Sequence, residues 1–169
     1  MNYRPTERTI VLATAIAAAF EGLRAGAGTF RALLDLPART RVGPLAFADF
    51  SRATDLSTVG VIFYVVFGIG GALVTAVAWL IARRGQAATA VRRLLGVSAI
   101  ASLLILVLTA QAAPLMWRVG SAPPDPALLR SLLDRFTAWT MARIVCVDIS
   151  FAAVLGALTF FALPRTRSS

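Results

Sequence analysis

Four long apolar runs organise the chain, and the apolar residues gather in those runs rather than alternating with polar ones as in a half-buried strand. They cover about residues 9–30, 58–82, 94–117 and 136–163. A helix crosses the hydrocarbon core of a bilayer with about 20 consecutive apolar residues, so each run predicts a membrane-spanning helix. The first has room to continue to Leu36, the second holds no charge, and the third holds none before Arg118. The expected fold class is all-α: an integral membrane four-helix bundle, with residues 1–169 as a single transmembrane domain.

Boundary residues agree with these limits. The stretch Asp55-Leu-Ser-Thr offers capping oxygens ahead of the second span. Asp125 and Pro126 read as an N-cap followed by proline at the first helical position. A helix from Pro126 to Leu163 would measure about 57 Å, against a hydrocarbon core of about 30 Å. Its first turns, with Arg130 and Asp134 four residues apart, are therefore expected in water, and Pro164 closes it. Between the first two spans, residues 44–50 suit a short amphipathic helix lying on the membrane surface.

Composition sharpens the membrane reading. Hydrophobic residues make up 58% of the chain, above the roughly 45–50% of a soluble domain. The net charge of +9 comes from 17 basic residues, all arginine, and 8 acidic ones. The arginines sit at the ends of apolar runs and form no basic face, which argues against a nucleic-acid partner and for topology. Arg4 and Arg8, then Arg83, Arg84, Arg92 and Arg93, then Arg165 and Arg167 all fall on one side of a four-span chain. The positive-inside rule makes that side the cytoplasm, so both termini are expected there, in the cell (plasma) membrane. The start also fits a cleavable leader, with basic residues, an apolar run and Ala17–Ala19. That reading would leave three spans, and the apolar character continuing to Phe30 favours four.

There is no histidine and a single cysteine, Cys146, inside an apolar run. Zinc sites, disulfide exchange and the common forms of haem ligation are thereby disfavoured. No metal and no cofactor is expected.

Ionisable residues inside spans are expensive, and their default reading is functional. Four qualify: Glu21 and Arg24 in the first span, Arg143 and Asp148 in the fourth; Gln111 in the third adds an amide. Glu21 and Asp148 each lie about 18 Å in from their entry side, with Arg24, Gln111 and Arg143 in the outer half. Glu21, Arg24, Gly28, Arg31 and Asp35 follow the spacing of one helix face. That face predicts one wall of a polar cleft open to the outside, between the first, third and fourth spans. Trp139, Arg143, Cys146 and Ser150 share a face of the last span, while Asp148 lies about 140° from Arg143 at the helical repeat. Arg143 therefore has the stronger claim on the cleft. Gly22, Gly26, Gly68, Gly70 and Gly71 predict close helix packing.

The pattern Phe136-x-x-Trp139-x-x-x-Arg143, opening the last span, resembles the anthrone oxygenase-like family of small four-helix membrane proteins. The segment Thr109-Ala-Gln-Ala-Ala-Pro114-Leu, ending the third, resembles that family's polar segment, with Gln111 where asparagine is usual. The resemblance implies cofactor-free oxidation of an electron-rich aromatic enolate. It implies Glu21 as base, Arg143 or Arg24 as the cation beside the enolate oxygen, and Trp139, Phe136 and Tyr64 as walls of a dry slot. Gln111 and Asp148 complete the candidate binding set. The residues alone leave two other classes open. One is a small transporter or ion-coupled subunit titrating through Glu21 and Asp148, its missing size supplied by a homo-oligomer. The other is a structural or partner-binding protein whose buried charges are merely paired. The partners expected are the lipid bilayer and a hydrophobic small molecule.

Overall fold

The structure, a computed structural model, describes residues 5–162; Arg4, Leu163, Pro164, Arg165 and Arg167 lie outside them. Among the described residues every regular element is helical. Helix α1 spans Glu7–Phe30, a π-helical turn covers Arg31–Asp35, and α2 spans Leu36–Ala53. Then come α3 (Thr58–Arg84), α4 (Thr89–Ser121) and α5 (Pro126–Ala162). Four helical stretches are long and apolar enough to cross a membrane. Their outer surfaces carry large apolar side chains such as Leu12, Leu23, Val59 and Ile100, each more than half exposed. A helix apolar all round suits lipid, where that surface is not in contact with water.

Local chemistry sets the helix ends. The Thr6 hydroxyl accepts from the Thr9 amide, and the Ser57 hydroxyl accepts from Gly60. At α5, Asp125 Oδ1 accepts from the Ala127 and Leu128 amides ahead of the helix proper, so the expected cap is present. Asp55 is not the cap of α3; Ser57 is, which frees the Asp55 carboxylate for a different partner.

Helices α1 and α4 each pack against both α3 and α5, forming a square with α1 diagonal to α4. One end is closed by Ile10, Ala82, Val91, Leu95, Val154 and Ala157. The other is closed by Phe47, Ala112, Val119, Leu129, Leu133 and Phe136. Between them the apolar core thins to Ala25, Ile105 and Val147. The polar groups of the bundle occupy that level.

The segment after α1 departs from the surface helix expected. Helix α2 is broken at Gly43 (φ 82°, ψ 167°), and Pro44 opens its second half. That half does turn helical, but Phe47 and Ala48 are buried among α4 and α5 side chains, so its apolar side faces protein. Arg52 fastens it, donating to the carbonyls of Gly120, Val119 and Ala122 at the end of α4. Those carbonyls have no partner within their own helix. The first turns of α5 are covered for the same reason: Leu129, Leu132 and Leu133 pack on α2 and α4. Asp134 pairs with Arg39 of α2 at 2.6 Å. An added Cβ at Gly43 meets nothing within 4 Å, so Gly43→Ala costs only the left-handed backbone. A loss of about 1–2 kcal/mol is expected, read as a lowered unfolding midpoint in detergent. An unchanged midpoint would mean that the break is not enforced by packing.

Candidate functional site

Polar side chains from all four long helices converge in the middle and on the α2 side of the bundle. Glu21 is fully buried. Its Oε1 accepts from Arg24 Nη1 at 2.6 Å and from the Ser102 hydroxyl of α4 at 3.0 Å. Ser102 and Ser150 lie 3.0 Å apart, Ser150 and Ser98 2.8 Å apart, so a short hydroxyl seam ties α1, α4 and α5 together. Gly71 of α3 makes room for the pair: a Cβ there would collide with Arg24 Nη1 and stand 3.0 Å from Glu21 Oε1. This glycine, expected to bring helices together, instead admits a guanidinium. Gly22 faces Phe151 closely, while Gly26 faces open space.

About two turns beyond Arg24, Arg31 starts the π-helical turn, a local widening often found at functional sites. Its Nη1 and Nη2 grip Asp55 at 2.7 and 2.6 Å, and Nη1 also donates to the Tyr64 hydroxyl at 2.7 Å. Tyr64 in turn donates to Asp55 at 2.9 Å. The Arg31 guanidinium also lies 5.4 Å from the Phe136 ring centre. This triangle joins α1, the α2–α3 connection and α3.

A cavity of about 530 Å³ lies between these groups. Arg24, Gly28, Arg31 and Asp35 line its α1 wall, four of the five residues on the helix face singled out above. Phe30, Phe50, Phe63 and Phe67 give it an aromatic lining, and Ile105, Thr109, Arg143 and Ile144 supply the α4 and α5 sides. A second cavity of about 370 Å³ lies between α3 and α4 and shares Asp55, Tyr64, Gly68, Thr109 and Arg143 with the first. Arg143 stands at the junction, its guanidinium 5.5 Å from the Tyr64 ring centre. Arg24 has Glu21 and Arg31 has Asp55, but no carboxylate lies within ion-pair distance of Arg143 among the described residues. Arg24 Nη2 is buried with no hydrogen-bond partner among the described residues, as are Glu21 Oε2 and Arg31 Nε. Such groups in a native structure call for a reason.

The sequence candidates divide accordingly. Arg24, Arg143 and Tyr64 line the larger cavity, and Phe136 lines the smaller. Glu21 lines neither; it sits behind Arg24. Trp139, Gln111 and Asp148 are exposed on the outside of the bundle and line neither cavity, unlike the slot wall expected of Trp139 and the binding set that included Gln111 and Asp148. Phe136, Thr140, Ile144 and Val147 take the inward positions of α5, so Trp139 and Asp148 fall on its flanks. On α4 the inward positions are Ala112, Leu115 and Met116, and Gln111 turns away. The second span, α3, contributes a wall beyond Tyr64, with Phe63, Phe67 and Gly68, although the cleft was expected between the first, third and fourth. The signal for it was the spacing of Phe63, Tyr64 and Phe67 on one helix face. Asp55 was hidden by its resemblance to a cap. No family model, no curated protein and no solved structure matches this chain.

Proposed function

We propose that this membrane protein binds an apolar aromatic small molecule bearing an acidic or enolisable oxygen. Arg143 receives that oxygen in the cavity between α1, α3, α4 and α5. The observation that carries the reading is the unpaired Arg143 guanidinium at the junction of two largely apolar cavities. A cation kept in such a place without a carboxylate is costly, and an anionic or strongly accepting ligand oxygen offsets that cost. Arg24, whose Nη2 is buried without a hydrogen-bond partner among the described residues, lines the same cavity. Arg8, Arg83, Arg84, Arg92 and Arg93 lie at or next to the end closed by Ile10, Ala82 and Val91. By the positive-inside rule that end, with both termini, faces the cytoplasm of the plasma membrane, and the cavity lies in the outer half.

The resemblance to anthrone oxygenase-like proteins extends this to chemistry. A carboxylate takes the proton from the acidic carbon of an anthrone. The enolate passes electrons to molecular oxygen, and loss of water from the resulting hydroperoxide leaves a quinone. Arg143 would steady the enolate oxygen. Asp55 is the carboxylate that lines the space beside it, and Glu21 acts on the site by holding Arg24. A structural reading is favoured by the Glu21–Arg24 and Arg31–Asp55 pairs, which are complete without a ligand. It gives no account of Arg143.

Purification in mild detergent followed by mass spectrometry of co-purifying small molecules tests the proposal. A planar, oxygen-bearing molecule is expected with the parent protein and absent from Arg143→Gln. The variant gives up a cation–π contact of about 1 kcal/mol, so its unfolding midpoint should barely move. An empty parent protein together with an unfolded Arg143→Gln variant would sink the reading and leave paired structural charges.

A further inference from the structure

The smaller cavity has a polarity gradient that tells how a ligand reaches Arg143. Its outer lip is formed by Val65, Ile69 and Trp117, each half or more exposed on the surface that faces lipid. Small residues keep it open: Gly68 on α3, Ala110 and Ala113 on α4. Polar groups occur only at its inner end, where Asp55, Tyr64, Thr109 and Arg143 meet the larger cavity. Three of those four are already engaged. Asp55 and Tyr64 bind Arg31 and each other, and the Thr109 hydroxyl donates to the Ile105 carbonyl. Of the four, the Arg143 guanidinium alone has no hydrogen-bond or ion-pair partner among the described residues.

We infer that the groove between α3 and α4 is a lateral portal. It admits a membrane-dissolved planar amphiphile with a single acidic oxygen from the bilayer and delivers that oxygen to Arg143. The occupant is fixed by charge complementarity: an apolar wall leading to one unpaired cation fits an apolar body with one anionic end. A neutral hydrocarbon would leave Arg143 unpaired, and a water-soluble polyanion would have to cross the lip formed by Val65, Ile69 and Trp117. The inference rests on the binding proposed above and adds the route and the charge of the ligand.

The test uses pyrenebutyric acid as the probe, with its methyl ester as the neutral control, on the full chain in lipid nanodiscs. In a Trp79→Phe/Trp139→Phe background, Trp117 is the remaining tryptophan, and pyrene accepts its emission. Saturable quenching of Trp117 by the acid is expected. Arg143→Gln should weaken binding on the order of ten- to a hundredfold, the range of a lost charge-assisted hydrogen bond. The ester should bind the parent about as weakly as the acid binds the variant. Ala113→Phe, which fills the groove without touching Arg143, should abolish quenching. Ala110→Leu at the exposed lip is the milder substitute should Ala113→Phe not fold. If Arg143→Gln weakens binding while both groove variants bind normally, the portal is wrong and the cavity stands. If neither Arg143→Gln nor the groove variants change binding, both proposals fall. An ester as tight as the acid overturns the charge requirement.

Discussion

Glu21→Ala is expected to lower the unfolding free energy by about 3–5 kcal/mol, the range found when one partner of a buried ion pair is removed. Arg24, 7% exposed, would lose its carboxylate, with Gly71 against its guanidinium and no other carboxylate at ion-pair distance among the described residues. Ser102 would also lose its acceptor on Glu21. Glu21→Gln keeps an oxygen for Ser102 and should fall between the two. Glu21→Ala/Arg24→Leu removes the stranded cation as well, and should recover most of the loss. Unfolding in a graded mixture of mild and denaturing detergent gives the numbers for this cycle. A Glu21→Ala cost below about 1 kcal/mol would mean that water reaches Arg24 freely and that the pair holds nothing together.

That four helices are long and apolar enough to cross a membrane was legible because hydropathy and helix length are local properties of the sequence. The caps at Asp125 and Ser57 were legible for the same reason. What escaped were the long-range choices among equivalent partners. Asp134 had Arg130 one turn away and took Arg39 instead, because α2 folds back over α5. That fold-back depends on Gly43 and on Arg52 reaching the end of α4, neither of which has a periodic signature. The α1 face from Arg24 to Asp35 could be read from spacing alone. Its counterpart on α5 could not: Arg143 and Trp139 share a sector by helical repeat, yet only Arg143 lines a cavity. The inward axis of α5 is set by Phe136, Thr140 and Ile144 packing on neighbours, which places Trp139 on the flank. Asp148, at its angle from Arg143, ended on the outer surface.

Asp55→Ala should separate stability from binding, moving them in opposite directions. The Asp55 carboxylate accepts from both terminal Arg31 nitrogens and from the Tyr64 hydroxyl. Its side chain and that of Arg31 are 10% and 11% exposed, so some solvent reaches the pair. A loss of about 2–3 kcal/mol is expected, below the fully buried range. Yet Asp55 also lines both cavities beside Arg143, where its charge repels an anionic ligand. Its removal leaves Arg31 and Arg143 facing the same space with one fewer carboxylate. Affinity for pyrenebutyric acid should therefore rise on the order of tenfold, the effect of removing one like charge near a weakly screened site. Asp55→Ala/Arg31→Met takes out the stranded cation as well. Its stability should return towards the parent value, and its affinity should fall back with it. Affinity that drops together with stability in Asp55→Ala would assign Asp55 a different part: holding Tyr64, and through its ring Arg143, in the position that receives the ligand.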